Sequence, residues 1–120
     1  MTERTVFFLS DQTGVTAETL GHSLLTQFTG QEFRQVTLPF IDSDDKANEA
    51  VARINAAGKA DTLRPIVFST LVQDNLRGIV READGLHLDI FDVFLQPLEL
   101  EFQQESTHEP GRAHGMTDIE

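Results

Sequence analysis

The stretch from Thr5 to Leu20, TVFFLSDQTGVTAETL, decides how the rest of the chain is read. Thr5 to Ser10 is a compact apolar run with β-branched and aromatic residues and no alternation. That is the pattern of a strand covered on both faces. DQTGV, residues 11–15, follows as a loop. Thr16 is placed to N-cap a helix that runs to about Phe28, with Glu18 in its first turn beside the positive end of the helix dipole. Leu20, Leu24 and Phe28 recur at i, i+4 and i+8 and form its expected core stripe.

Working outward, the same logic yields three more strand–helix pairs. FRQVTL, Phe33 to Leu38, alternates apolar and polar, so it reads as a half-exposed edge strand that Pro39 stops. Ser43 is an N-cap for a helix with Asp44 and Asp45 in its first turn. Its buried face is Ala47, Val51, Ile54 and Ala57, and Gly58 is its expected end. IVFS, Ile66 to Ser69, is a second fully apolar strand. A helix from about Gln73 to Ala83 follows, with Leu76, Ile79, Val80 and Ala83 inward and Gly85 at the C′ position. LHLDIF, Leu86 to Phe91, alternates again. Asp92 to about Phe102 has an amphipathic helical pattern interrupted by Pro97.

The order β-α-β-α-β-α-β-α predicts an α/β fold: an open four-stranded parallel sheet with right-handed crossovers and helices on both faces, Rossmann- or flavodoxin-like. Two-face-apolar strands belong in the centre and alternating strands at the edges, which the order 2-1-3-4 satisfies. That order places a topological switch point between strands 1 and 3, where open α/β sheets bind ligands at strand carboxyl ends. Ser10-Asp11-Gln12-Thr13-Gly14 and Ser69-Thr70 would meet there.

Composition narrows the function classes. The chain has 120 residues, 9 Lys and Arg against 20 Asp and Glu, a net charge of −11 and no Cys. Disulfides, thiolate catalysis and Cys-based metal sites are excluded together. So acidic a domain is a poor binder of nucleic acid or anionic membrane by bulk attraction. Runs such as VFFL are too short to span a bilayer, and Glu3 and Arg4 precede only that four-residue apolar run, so no signal peptide is visible. A cytoplasmic location is the expectation. Residues 99–120 hold six acids and one base, Arg112. The reading is an α/β domain over 1–102 and an acidic segment over 103–120.

Two constellations could carry chemistry. SDQTGVTAET joins a strand end to a helix start. There the backbone amides, Gly14 and the hydroxyls of Ser10, Thr13 and Thr16 suit an oxyanion, while Asp11 and Glu18 oppose one. A plain turn and helix cap fits the same residues. HEPGRAHG, His108 to Gly115, is not a zinc-protease helix: its histidines are six apart, and Pro110 and Gly111 break a helix. His108, Arg112 and His114 could instead grip phosphate, or be incidental in a polar tail. His22 and His87 read as surface or half-buried residues. Asp89 and Asp92 could hold a cation, though a strand-end cap is the simpler reading. No metal site is expected. No Walker phosphate loop or G-x-G-x-x-G is present, and without Trp or Tyr a flavin sandwich is disfavoured.

Taken together, VFFLSDQTGVTAETLGHSLLTQF, VTLPFIDS, RPIVFSTLV, LDIFDVFLQPLELE and THEPGRAHGM resemble the regulatory proteins of phosphoenolpyruvate synthase, related to those of pyruvate, phosphate dikinase. Gln12, Glu109 and Pro110 depart from the residues more usual in that family. The resemblance implies a bifunctional serine/threonine kinase and pyrophosphorylase. Such proteins phosphorylate a target threonine with ADP as donor, and remove that phosphate by phosphorolysis with inorganic phosphate. It implies a partner, phosphoenolpyruvate synthase or pyruvate, phosphate dikinase, and ADP, phosphate and Mg²⁺ at the site of the intact protein. It implies that residues 1–102 correspond to the N-terminal domain, with 103–120 a connector toward a C-terminal P-loop kinase domain. These residues alone are then expected to be inactive and to bind no cofactor tightly, because phosphoryl transfer needs a phosphate cradle. Their expected role is target docking and anion-binding support, through Ser10, Asp11, Thr13, Gly14, Thr16, His108, Arg112 and His114. The alternative is a dimerisation or interaction module with no small-molecule site, using Phe94, Leu95, Leu98 and Phe102.

Overall fold

Val6, Phe7, Phe8 and Leu9 are all buried, so the strand they form has no face to offer to water. The computed structural model, which describes residues 3–107 and 109, accordingly places β1 (Arg4–Leu9) inside a four-stranded sheet. The remaining elements are α1 (Val15–Leu25), β2 (Phe33–Leu38), α2 (Asp44–Asp61), β3 (Ile66–Ser69), α3 (Asp74–Val80), β4 (Leu86–Asp89) and α4 (Ile90–Phe102). The sheet order is β2-β1-β3-β4, every pairing parallel, as the sequence predicts.

Strand alternation sorts the core into two layers. Phe7, Leu9 and Val67 pack with Leu38, Ile41, Ala47, Ile54, Leu71, Leu76 and Val80 beneath α2 and α3. Val6, Phe8 and Phe68 pack with Ala17, Leu25 and Ile90 beneath α1 and α4. The register sets Leu9 level with Leu38 and Ser69, and Ser69 level with Asp89. All four strands therefore end in one row.

Several expectations shift by a turn or less. Helix α1 is capped by Gly14 at φ 95°, not by Thr16, and it ends at Leu25. Its buried stripe is Ala17, Gly21 and Leu25; Leu24 and Phe28 point to solvent. The cause is a close approach. The Phe8 and Phe68 rings stack with centroids 5.7 Å apart. A Cβ at Gly21 would lie 2.4 Å from Phe8 Cε1. Small residues win the inner face because the helix rides directly on those rings, which overrides the leucine pattern.

Gly58 lies inside α2 rather than at its end, pressed against the Pro65 ring, and Thr62 closes the helix in a left-handed conformation. Gly85 is not left-handed either; it lies where a Cβ would be 3.0 Å from the Pro65 carbonyl oxygen. Helix α3 ends at Val80, although Ala83 beyond it is still buried. Strand β4 stops at Asp89 and α4 begins at Ile90, two residues earlier than its pattern suggests, because Asp89 caps it by accepting from the Asp92 amide at 3.2 Å. Ser43 caps α2 as expected, accepting from the Lys46 amide at 3.2 Å.

At the amino end of the sheet, Asp61 is 7% exposed at the carboxyl end of α2, where the helix dipole disfavours an acid. Thr5 Oγ1 donates to it at 2.6 Å and Arg34 reaches it at 3.3 Å. The Thr5 hydrogen bond, with help from Arg34 and against burial, holds the Asp61 carboxyl below its usual range. A depressed folded-state value stabilises the fold above the ordinary carboxylate pKa, and the contribution is lost as pH falls through the folded value. Urea unfolding should therefore show stability falling below about pH 4, with a shallower fall in Asp61→Asn. Gly21→Ala should cost about 1–3 kcal/mol by overpacking the two rings, read in the same assay at neutral pH.

Candidate functional site

Buried polar side chains are the informative exceptions in a core. Among the described residues, besides Thr5 and Asp61, they are Ser10, Asp11, Ser69 and Thr70, all at the carboxyl ends of β1 and β3. The two strand ends are built alike. Ser10 Oγ accepts from the Gln12 amide at 2.9 Å, and Ser69 Oγ accepts from the Leu71 amide at 3.2 Å. Each serine turns the chain sharply out of the sheet with its own hydroxyl. The Thr70 amide donates to the Leu9 carbonyl at 3.1 Å and ties the two turns together.

A third loop joins them. The Ile41 amide donates to the Ser10 carbonyl at 2.9 Å, and the Phe40 amide donates to the Gln12 carbonyl at 2.8 Å. Phe40 is held at φ 57° with its ring half exposed. A bulky residue in that region is strained, and such residues persist only where the surroundings over-determine them. Gly14 completes the turn. Its φ of 95° suits glycine, and a Cβ there would lie 2.7 Å from the Thr37 methyl. Glu18 in the first turn of α1 accepts from the Thr37 hydroxyl, which fastens α1 to the edge strand.

The switch point therefore brings together Ser10, Asp11, Thr13, Gly14 and Thr16, facing Ser69 and Thr70. Within that set Thr13 is exposed, Thr16 is half-buried, and Ser10, Asp11 and Gly14 are buried. The first amides of α1 have no side-chain cap, since Gly14 has no side chain to supply one. His108, Arg112 and His114 lie outside the described residues. His22 is exposed on α1, and His87 Nε2 donates to the Ala83 carbonyl at 2.8 Å.

Asp89 and Asp92 do meet cations, and those cations are arginines of the chain itself. Arg77 Nε donates to Asp89 Oδ2 at 2.8 Å, Arg77 Nη2 lies 2.9 Å from Asp92 Oδ1, and Arg81 reaches Asp89 at 3.2 Å. The Arg77 hydrogen bond, with Gln96 and Arg81 adding to it and burial opposing it, keeps the Asp92 carboxyl below its usual range. Burial works against the Arg77 charge, but its bonds to Asp89 and Asp92 outweigh that and raise its value. The sequence reading missed this pairing. Its signal was present in Arg77 and Arg81 four apart on one helix and Asp89 and Asp92 three apart across a strand end. Among the described residues, no group of three or more His, Asp or Glu is arranged to hold a metal ion. No helix among them is long and apolar enough to cross a membrane.

A family model described as kinase/pyrophosphorylase matches residues 6–119. Among curated relatives, a protein of Herminiimonas arsenicoxydans is 55% identical over 117 residues, covering 98% of this chain and 41% of the relative. One of Janthinobacterium sp. (strain Marseille) is 56% identical over 117 residues with the same coverage, and one of Alcanivorax borkumensis is 54% identical over 118 residues, covering 43% of its length. All three carry the name "Putative phosphoenolpyruvate synthase regulatory protein". The chain spans about two-fifths of the length of these relatives.

Removing the arginine anchor should loosen the switch-point face from the side. Arg77→Met leaves Asp89 and Asp92 without their main partner and should cost about 3 kcal/mol in urea unfolding at pH 7. The difference from the parent should narrow as pH falls and Asp92, held low in the parent by Arg77, protonates.

Proposed function

This chain belongs to the kinase/pyrophosphorylase family, and from that premise we propose that it serves a protein that regulates phosphoenolpyruvate synthase by reversible threonine phosphorylation. In this reading the intact protein transfers phosphate from ADP to the target and removes it by phosphorolysis. The present residues form an α/β domain over 1–102, and 103–120 connect it to a P-loop kinase domain. The target side chain is a threonine, the substrates are ADP and inorganic phosphate, and pyruvate, phosphate dikinase is the alternative target.

The role assigned to these residues is target docking and support of an oxyanion at the β1/β3 switch point. The observation that supports it is the convergence of three loops, 10–14, 39–43 and 69–73, on one row of strand ends beside the start of α1, whose Gly14 cap has no side chain to occupy the first amides. A phosphoryl oxygen seated there would meet the amides around Gly14 and the Thr13 hydroxyl, donors of the kind that hold phosphate at helix starts. The negative field of a chain at −11 weakens such a site, so the anion is held loosely until His108, Arg112 and His114 add their donors. Mg²⁺ has little to bind in this loop. It offers one carboxylate, Asp11, and that is buried; Mg²⁺ takes one or two carboxylates together with phosphate oxygens and water. The metal is therefore assigned to the nucleotide in the intact protein.

Calorimetric titration of the 120-residue chain with phosphate, pyrophosphate and ADP should give a dissociation constant on the order of 1 mM for at least one of them. Gly14→Val should abolish that binding. No heat with any of the three, together with unchanged kinase and phosphorylase activity of Asp11→Ala and Arg112→Ala in the full-length protein, would overturn the assignment.

A further inference from the structure

β2 forms one edge of the sheet. It pairs with β1 along its full length, Phe33 to Leu38 level with Arg4 to Leu9, and among the described residues no strand lies on its other side. Sheet edges are usually guarded by a lysine, a proline, a bulge or mere shortness. The opposite edge strand, β4, has four residues and runs straight into α4. β2 has six residues in continuous register. Its one charge, Arg34, is folded back to Thr5, Asp61 and Glu3 at the amino end of the sheet. The outward N–H and C=O groups of β2 are therefore a template for one more strand.

A cleft flanks this edge on each face of the sheet. The cleft on the α2 face, about 270 Å³, is lined by Leu38, Ile41, Lys46, Glu49 and Arg53. The cleft on the α1 face, about 570 Å³, is lined by Glu18, Thr19, His22, Ser23 and Gln35. Thr37 borders both. Side chains of an added strand alternate between faces, so each cleft stands where every second side chain would go. The two clefts differ in charge. Among the described residues the Arg53 guanidinium has no hydrogen-bond or ion-pair partner. Lys46 has Asp42, in an exposed i,i+4 pair at 3.2 Å, and such pairs hold a side chain weakly. Two cations against Glu49 make the α2 cleft a place for an acid. The α1 cleft offers mainly hydroxyl, imidazole and amide groups, and its Glu18 already accepts from Thr37.

We propose that β2 takes up an extended segment of a partner protein as a fifth strand, with acidic side chains on the α2 face and small hydroxyl side chains on the α1 face. Main-chain bonds give such a complex its affinity, and the alternating pockets give it specificity. A second β2 is a poor match, because Phe33 to Leu38 contains no acid to set against Arg53. The proposal rests on the docking role given above and is independent of an anion at the switch point.

The probe is a labelled decapeptide of alternating Thr and Glu, titrated with the 120-residue chain at low salt. Fluorescence anisotropy should give a dissociation constant on the order of 100 μM, weakening as salt rises. Arg53→Glu should weaken binding on the order of 10-fold with unchanged circular dichroism. It should also reverse the parent's preference over a decapeptide of alternating Thr and Lys. Two further probes carry N-methyl groups on every Thr amide or on every Glu amide. Only one of these sets faces β2 in a ladder, so one probe should lose binding and the other keep it. Amide hydrogen exchange over residues 33–38 should slow when the unmethylated peptide is bound. Peptide binding without any binding of phosphate, pyrophosphate or ADP would sustain this proposal while the switch-point reading fell. No peptide binding, equal binding of the two N-methylated probes, or binding indifferent to Arg53→Glu would overturn it. So would protection of residues 33–38 that grows with chain concentration and needs no peptide, since that assigns the edge to a second copy.

Discussion

The double-sided burial of β1 is the constraint on which the rest depends. Val6, Phe7, Phe8 and Leu9 place large apolar groups on both faces of one strand. Such a strand is stable only with a neighbour on each edge and a helix layer on each side. β2 and β3 supply the edges; α2 and α3 cover one face, and α1 and α4 the other. Everything at the carboxyl end follows from where this strand stops. Leu9 is its last residue, and the next two, Ser10 and Asp11, are buried polar groups that must find hydrogen-bond partners in the loops around them.

That requirement is what makes the strand ends a platform. Each serine satisfies an amide two residues on, the Thr70 amide bonds back to Leu9, and the β2–α2 loop bonds to Ser10 and Gln12. The loops are held by backbone bonds rather than by long side chains, so they stand at defined positions. Phe40 is the visible cost: its left-handed backbone is imposed by the bond from its amide to Gln12. At the far edge the two arginines of α3 perform the corresponding task, anchoring the β4–α4 junction through Asp89 and Asp92.

The two helix layers are unequal. α2 and α3 bury a continuous core, whereas α1 approaches so closely at Gly21 that Leu20 packs only partly against the core and Leu24 faces solvent. Leu24 and Phe28 are left on the surface as a result. The thinner layer is therefore the one with apolar surface to spare, and that is a property of the packing rather than of any one residue.

The order of the strands, their parallel pairing and the position of the switch point were legible in the chain itself. Run length, alternation and the caps at Ser43 and Asp89 are local signals, and β1 and β3 differ from β2 and β4 in composition alone. Five candidate site residues, Ser10 to Thr16, were legible for the same reason, since they follow directly from a strand end. Tertiary structure decided the inner face of α1, the roles of Gly58 and Gly85, and the arginine partners of Asp89 and Asp92. Each of these depends on a neighbour distant in sequence: the Phe68 ring against Gly21, Pro65 against both glycines, and α3 against the β4 end. Periodicity records which residues are apolar, but it carries no measure of how closely two elements approach. That distance decides whether a leucine or a glycine faces inward.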